Sequence, residues 1–199
     1  MALTYADKSI WEELAAKQLI PPSPNVLEIG EGNWYGDVAP DDADASPDPF
    51  VTARNFYNRV LKPAKMVAID FTGTICALRL DLNNPITLPD NLPQRFEVII
   101  NTGTAEHVFD QRQLFQTIHE RCLPGGLMLH AAPWKGWHDH GFYNYQPTFF
   151  KHLALANEYE TLLTRTWQPW NQSDLMLYTV FCKVGDERFL APIQGMRKV

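Results

Sequence analysis

Short apolar runs alternate with helix-like segments along this chain, and this alternation determines its fold class. The predicted strands cover 25–30, 65–70, 75–82, 96–101, 127–132, 160–167 and 175–183. Helices are predicted at 51–61, from Asp110 onward and at 147–158. Most of the strands lack the polar alternation of a half-exposed sheet, which is typical of parallel strands that helices cover on both faces. The sequence therefore predicts an α/β fold, in which ligands bind beyond the carboxyl ends of the strands.

The segment before the first strand is predicted to be an N-terminal helix. Apolar residues recur at helical spacing over 9–19, and Pro21 and Pro22 end the helix, so we assign 1–22 to this element. A chain of 199 residues, 45% of them hydrophobic, can bury a core without disulfide bonds. We expect one domain that covers 1–199.

The charge distribution limits the partners that this chain can bind. Its formal net charge is −6, which argues against nucleic acids and anionic membranes as partners. Five of the 23 acidic residues lie in 37–49, which contains no basic residue. We interpret 37–49 as an acidic flap, most simply a solvated loop, with closure over a bound ligand as the alternative.

The cysteines indicate the compartment. Cys76, Cys122 and Cys182 are odd in number and share no CxxC spacing, so we expect small buried apolar side chains in a reducing environment. No apolar run reaches 18 residues, and no membrane-spanning segment is expected. These features predict a cytoplasmic protein.

A glycine-rich turn follows the first predicted strand. Gly30, Gly32 and Gly36 allow the backbone to bend sharply and to approach a ligand closely. Their spacing differs by one residue from the dinucleotide-binding fingerprint. The next strand-end carboxylate, Asp70, lies 40 residues after Gly30, where about 20 are expected for that fingerprint. A nicotinamide cofactor is therefore disfavoured.

Five motifs in order resemble those of the class I S-adenosylmethionine-dependent methyltransferases. They are VLEIGEG at 26–32, VAID at 67–70, LDL at 80–82, FEVIINTGTAEH at 96–107 and LPGGLML at 123–129. The resemblance covers about 25–132, and the last two predicted strands agree with it. It implies a Rossmann-like methyltransferase fold with a mostly parallel seven-stranded sheet, helices on both faces and S-adenosylmethionine as the cofactor.

The resemblance also implies a set of cofactor-binding residues. The turn at 28–32 would face the methionine part, Asp70 would accept both ribose hydroxyls, and Asp81 would lie beside adenine. Residues 101–104 would line the floor near the sulfonium. The complete set is Glu28, Gly30, Gly32, Asp70, Phe71, Asp81, Leu82, Asn101, Thr102 and Gly103. As alternatives, the two aspartates are ordinary turn residues and the glycine turn is a plain strand-to-helix connection.

Residues 130–152 form the most unusual stretch of the sequence. Four of the six histidines and seven of the 24 aromatic residues lie there, directly after the fifth predicted strand. In the resembled fold this connection frequently contributes to the acceptor pocket, so we interpret 130–152 as the acceptor segment. The predicted acceptor contacts are Trp134, Trp137, Tyr143 and Tyr145.

Three histidines are candidate catalytic bases. His140, His138 or His107 could take a proton from an acceptor hydroxyl or amine, because imidazole titrates near neutrality. In a second interpretation His138 and His140, with Asp139 or another histidine, bind a divalent metal ion. In a third, these histidines bond the backbone of a rigid turn, and the aromatic residues pack internally or form a homodimer surface.

Taken together, these features predict an S-adenosylmethionine-dependent methyltransferase that acts on a small molecule, with oxygen as the first choice of acceptor atom. Two other functions stay open: a metal-dependent enzyme that uses the His138 and His140 segment, and a non-catalytic module that binds the cofactor. A single domain leaves no separate substrate domain. The acceptor would then meet the N-terminal helix, the acidic flap, the acceptor segment or a second subunit.

Overall fold

Nine strands and four helices make up the part of the chain that the computed structural model describes, which is 2–35, 41–168 and 173–193. The strands are β1 (Ala2–Leu3), β2 (Asn25–Ile29), β3 (Asn33–Trp34), β4 (Lys65–Asp70), β5 (Ala77–Arg79), β6 (Phe96–Thr102), β7 (Cys122–Lys135), β8 (Glu160–Trp167) and β9 (Leu175–Cys182). The helices are α1 (Tyr5–Ala16), α2 (Pro49–Leu61), α3 (Gln111–Arg121) and α4 (Pro147–Asn157). All seven predicted strands form, although β5 is shorter and β7 longer than predicted.

Seven of these strands form one sheet in the order β5-β4-β2-β6-β7-β9-β8. Every neighbouring pair is parallel except those of β9, which runs antiparallel to both β7 and β8. The chain builds outward from β2 through β4 to β5, and then restarts at β6 on the other side of β2. Strand order therefore reverses between β2 and β6, which is where ligands bind in open α/β sheets. The predicted mostly parallel, seven-stranded sheet is confirmed.

Helices cover both faces of the sheet, as the apolar runs predicted. Leu27 and Ile29 of β2 belong to the apolar cluster that contains residues of α3 and α4. Val26 belongs to the opposite cluster, with residues of α1 and α2. The predicted N-terminal helix forms as α1 and begins at Tyr5, because Thr4 caps it in a capping box with Asp7.

The acidic flap at 37–49 is held to α2 at two of its aspartates, and 37–40 lie outside the described residues. The Asp44 side chain is 2% exposed and accepts hydrogen bonds from Arg59 Nε and Nη2 at 2.8–3.1 Å. Asp48 caps α2 by accepting from the Phe50 N–H at 2.9 Å. The expectation of a solvated loop is therefore wrong at Asp44, because a buried carboxylate requires a paired cation. Closure as a lid stays a prediction.

The three cysteines have different environments, and all are free thiols. Cys122 is buried, and burial raises its pKa to about 12. Cys182 is half-buried, but Cys76 is exposed, so the expectation of a buried side chain is wrong there. Along the described parts of the chain, no helix combines the length and the apolar character that crossing a bilayer requires.

Candidate functional site

A cavity of about 470 Å³ lies at the carboxyl ends of four adjoining parallel strands. Its lining includes Asp81 beyond the end of β5, Phe71 after β4, Gly30 after β2 and Gly103 after β6. This volume lies within the range of roughly 300–1,000 Å³ that is typical of small-molecule sites. The cavity therefore occupies the position that the sheet topology indicates for a ligand.

A larger cavity, of about 710 Å³, lies between α4 and the antiparallel strands β8 and β9. Its walls include Phe150, Tyr159 and Phe181, and none of the residues predicted to bind a cofactor or to catalyse. We locate the candidate site in the strand-end cavity, because the chemically suited side chains converge there.

The turn after β2 requires glycine at its first position. Gly30 has a φ of +84°, and an added Cβ would lie 2.0 Å from Thr104 Oγ1. The Gly30 N–H donates to the Ile69 carbonyl at 2.7 Å, which ties the turn to β4. The close approach of Gly30 to Thr104 brings the turns after β2 and β6 together as two walls of the cavity. Thr104, the last of the residues 101–104 that the resemblance assigned to the floor, lines the cavity.

Two buried glutamates, Glu28 and Glu31, flank the first position of the glycine turn. Glu28 is 4% exposed, and burial raises its pKa to about 8 despite a hydrogen bond from the Gly32 N–H. Glu31 accepts from Arg54 Nη2 at 2.9 Å and from Thr74 Oγ1 at 2.7 Å. Neither glutamate lines the cavity, and neither does Gly32. The structure therefore differs from the sequence prediction for Glu28 and Gly32, because these residues belong to the turn but do not line the cavity.

Asp70 and Phe71 stand together at the end of β4. Asp70 Oδ1 accepts from the N–H groups of Thr72 and Gly73 at 2.8 Å, and Oδ2 accepts from the Glu31 N–H at 2.9 Å. Burial opposes ionisation, but these three donors outweigh it and hold the Asp70 pKa below its usual value. The Phe71 side chain is 74% exposed at the cavity wall. The cavity thus combines an ionised carboxylate with a flat apolar ring.

The loop after β5 forms the next part of the wall. Asp81 Oδ1 accepts from the Asn83 N–H at 2.9 Å and from Asn83 Nδ2 at 2.8 Å, and Oδ2 accepts from Asn84 Nδ2 at 3.2 Å. Leu82 is buried and lines the cavity beside it. Asp81 therefore both closes a turn and faces the cavity. Asn83 also lines the cavity, although the sequence analysis did not select it.

The four residues 101–104 at the end of β6, predicted to form the cavity floor, lie in two different environments. Gly103 lines the cavity, whereas Asn101 and Thr102 are buried within the sheet and do not. Asn101 pairs with His130 of β7, with Nδ2 and Nδ1 3.0 Å apart. Burial lowers the His130 pKa to about 3, so this imidazole is neutral and stabilises the sheet interior. Of the residues 101–104 that the resemblance assigned to the floor, 103 and 104 line the cavity, and 101 and 102 do not.

Two of the three candidate histidines meet at the edge of the cavity. His107 lines it, and its ring centroid is 5.0 Å from that of His140. His140 Nε2 is 3.6 Å from Oε1 of Glu106, and the carboxylate raises the pKa of His140. His138 is exposed and lies outside this group. Glu106 follows β6 directly before His107, but its contact with a turn 34 positions away carries no local sequence signal.

The four aromatic residues predicted to contact the acceptor do not lie in one pocket. The Trp137 ring centroid is 5.0 Å from that of His140. Trp134 Nε1 donates to Gln146 Oε1 at 3.2 Å. Tyr143 and Tyr145 line a separate cavity of about 410 Å³, and Tyr145 is 3% exposed.

Tyr145 is in fact a core residue, because its ring packs against Phe115, Phe149 and Phe150. Sequence reasoning also missed Phe109, which is 68% exposed and meets Phe142 edge to face at 5.6 Å. Each ring follows one histidine of the pair by two positions, Phe109 after His107 and Phe142 after His140.

Solved structures similar to this one are methyltransferases of low sequence identity. The N-methyltransferase NodS from Bradyrhizobium japonicum WM9 is 15% identical, with a TM-score of 0.55 over 90% of this chain and 99% of that chain. The 1,6-didemethyltoxoflavin-N1-methyltransferase from Burkholderia thailandensis, solved with bound 1,6-didemethyltoxoflavin and S-adenosylhomocysteine, is 12% identical, with a TM-score of 0.58 over 91% of this chain and 81% of that chain. An S-adenosylmethionine-dependent methyltransferase from Mesorhizobium loti is 12% identical, with a TM-score of 0.53 over 86% and 97%.

No protein-family model and no curated protein matches the sequence. The structural likeness nevertheless extends over nearly the whole chain. At these identities it is a likeness of fold, and the chain accordingly has the Rossmann-like fold of the class I S-adenosylmethionine-dependent methyltransferases, as its sequence motifs predicted.

Proposed function

We propose that this chain binds S-adenosylmethionine in the strand-end cavity and transfers the methyl group to a small molecule, with oxygen as the first choice of acceptor atom. The observation that carries the proposal is the convergence of Gly30, Asp70, Phe71, Asp81 and Gly103 on one cavity at the switch point of the sheet. The fold of the similar solved structures supports it, and one of them contains S-adenosylhomocysteine.

The cavity residues have the chemistry that this cofactor requires. A carboxylate offers about four lone-pair sites, and Asp70 Oδ2 takes one backbone donor, so it can still accept from a ribose hydroxyl. The exposed Phe71 ring offers a flat apolar surface on which adenine could stack. Glycine at position 30 keeps the wall between the two turns free of side-chain atoms.

The chain's own residues would align the reactants and handle the acceptor proton. Bound S-adenosylmethionine supplies a methyl group that its sulfonium already activates, so alignment for in-line displacement is the protein's main contribution. His107 and His140 are the groups that we propose for the acceptor side, with Trp137 as the adjacent aromatic contact. His138 is a third candidate from the same turn.

The partners and the compartment follow from composition. We propose a small-molecule acceptor without a nucleic-acid or membrane partner, because the formal net charge of −6 disfavours binding to anionic surfaces. A cytoplasmic location and a homodimer stay predictions.

Replacing Phe71 by alanine tests the cofactor site with little risk to the fold. We expect calorimetric titration to show S-adenosylhomocysteine binding that is weaker by about 1–3 kcal/mol, the size of one base–aromatic stacking contact. The free energy of unfolding should be unchanged, since the ring is 74% exposed. Ile75→Ala is the matched control, because that side chain is fully exposed and outside the cavity. A wild-type protein that binds neither S-adenosylhomocysteine nor S-adenosylmethionine would contradict the proposed function.

Replacing Asp70 by alanine tests the ribose contact. We expect S-adenosylhomocysteine affinity to fall by about 2–3 kcal/mol, because hydrogen bonds to charged groups are among the strongest. The variant also releases the backbone donors of 72–73. Urea unfolding should therefore accompany the titration, so that the affinity loss is compared at equal folded fraction. Unaltered affinity in a folded variant would rule out the ribose role.

A further inference from the structure

We propose that Glu106, His107 and His140 bind a divalent transition-metal ion at the edge of the strand-end cavity. Each of the three offers one ligand atom, and these atoms lie within 4.8 Å of one another. Two imidazole nitrogens and one carboxylate oxygen suit zinc sites with an open position, and also manganese and non-haem iron.

The ligand atoms are close to the spacing that a bound ion requires. Metal–ligand bonds of about 2.0–2.2 Å demand that the three atoms approach one another more closely than 4.8 Å. His107 and His140 can make this adjustment because both side chains are exposed, that of His140 by 40%. Glu106 is the fixed member, since its side chain is 1% exposed.

The buried carboxylate is the second observation in favour of a cation. Glu106 Oε2 has no hydrogen-bond partner among the described residues, and Oε1 is 3.6 Å from His140 Nε2. A buried polar group without a partner costs about 1–3 kcal/mol, and a charged one costs more. A divalent cation between the carboxylate and the two imidazoles would satisfy this oxygen.

The backbone holds the His140 turn directly against Glu106. The Phe142 N–H donates to the Glu106 carbonyl at 2.7 Å. Gly141 permits this approach, because an added Cβ there would lie 2.9 Å from the same carbonyl oxygen. A side chain at position 141 would therefore push His140 away from its partners.

The first half of this turn is held in an unusual conformation. Trp137 and Asp139 have φ values of +53° and +56°, which side-chain-bearing residues rarely adopt. Two hydrogen bonds fix Trp137, from its N–H to Asp174 Oδ1 and from Nε1 to the Leu175 carbonyl, both at 3.1 Å. His140 thus projects from a turn that is anchored at both ends, as a preorganised ligand requires.

This ligand set differs from the one that the sequence suggested. In the metal-binding interpretation of the sequence His138 and His140 bind the ion together, but His138 lies outside the group. The ligands come instead from the Glu106 and His107 pair after β6 and from one histidine of the distant turn.

The role of the ion rests on the proposed function. Because His107 lines the cofactor cavity, an ion held there would lie next to the site of methyl transfer. Its open coordination position would take the acceptor oxygen, orient it and lower the pKa of an acceptor hydroxyl, whose proton would pass to water. With the ion bound, His107 and His140 would act as ligands and not as bases. The metal site itself can be tested without S-adenosylmethionine.

Metal binding to the full chain, stripped with a chelator, tests the site. We expect calorimetry with Zn²⁺ to give one equivalent bound, and Co²⁺ absorption to report mixed nitrogen and oxygen ligation. Glu106→Gln, His107→Ala and His140→Ala should each weaken Zn²⁺ binding by more than the roughly 10–100-fold that loss of an outer-shell partner costs. His138→Ala is the matched control, since it removes an exposed imidazole from the same turn.

The outcomes separate this site from the proposed function. Absence of stoichiometric Zn²⁺ binding, or binding that persists in Glu106→Gln but is lost in His138→Ala, would overturn the assignment. If the buried Glu106→Gln variant does not fold, the exposed His140→Ala variant decides by itself. S-adenosylhomocysteine titration of the Zn²⁺-loaded wild type should show binding. If that protein holds Zn²⁺ but does not bind S-adenosylhomocysteine, the proposed function is contradicted and the metal site is retained.

Discussion

Replacing Gly30 by alanine should lower the free energy of unfolding by about 2–5 kcal/mol and abolish S-adenosylhomocysteine binding. Two costs add up in this variant. The left-handed backbone at φ +84° costs a residue with a Cβ roughly 1–2 kcal/mol. The new Cβ would also lie 2.0 Å from Thr104 Oγ1, and overpacking of this kind typically costs about 1–3 kcal/mol. Because both turns line the cavity, their separation would change its shape.

Gly125 provides the matched control for this variant. Its φ is +77°, close to that of Gly30, but an added Cβ there meets nothing within 4 Å. Urea unfolding of Gly125→Ala therefore measures the backbone cost alone. Thr104→Ala in the Gly30→Ala background should restore part of the stability, since it removes the Oγ1 atom. Equal destabilisation by the two glycine variants would show that the contact with Thr104 is not the cause.

The sheet could be predicted because its strands are recognisable locally. Strands buried on both faces are mainly apolar, and the mainly apolar runs at 25–30, 65–70 and 96–101 coincide with β2, β4 and β6 to within one residue. The residue after each strand end then lies at the same edge by topology alone. Among these positions the resemblance to the methyltransferase motifs selected Gly30, Phe71 and Gly103, and all three line one cavity.

Strand ends that depend on tertiary contacts were predicted less well. The fifth strand was predicted to begin at 127, but β7 begins at Cys122 and runs through Pro124, Gly125 and Gly126. Gly126 is closely packed, since a Cβ there would lie 2.8 Å from Cys122 Sγ. A glycine that permits close packing within a strand and a glycine that ends a helix look the same in sequence.

The histidine site depends on a contact that the sequence does not encode locally. The group forms because the Glu106 carbonyl accepts from Phe142, and because Trp137 adopts a left-handed conformation usually signalled by glycine or asparagine. The sequence shows that His138 and His140 are two positions apart, but it does not show which of them lies beside Glu106. Likewise, only the packed structure shows that Tyr145 belongs to the core.

The Glu28→Gln variant should be more stable than the wild type at alkaline pH, with the difference growing as the pH rises toward 8. Burial raises the Glu28 pKa from 4.5 to about 8, so between these values the folded state holds a proton that the unfolded state has released. The contribution of Glu28 to stability is therefore fully present below about pH 4.5, and on the order of 3–5 kcal/mol of it is lost as the pH rises from there through 8. Glutamine keeps the shape and an oxygen for the Gly32 N–H, but does not titrate.

The Asp7→Asn variant is the control that distinguishes ionisation of Glu28 from a general loss of stability at alkaline pH. Burial raises the Asp7 pKa from 3.8 to about 6, so its own contribution is lost at lower pH, as the pH rises from about 4 through 6. Urea unfolding at pH 5, 7 and 9 should show that Asp7→Asn still loses stability between pH 7 and 9, whereas Glu28→Gln loses much less over that interval. Parallel pH curves for the wild type and Glu28→Gln would mean that Glu28 is ionised beneath the glycine turn. The carboxylate would then need a cationic or hydrogen-bonding partner for its Oε1, which has none among the described residues.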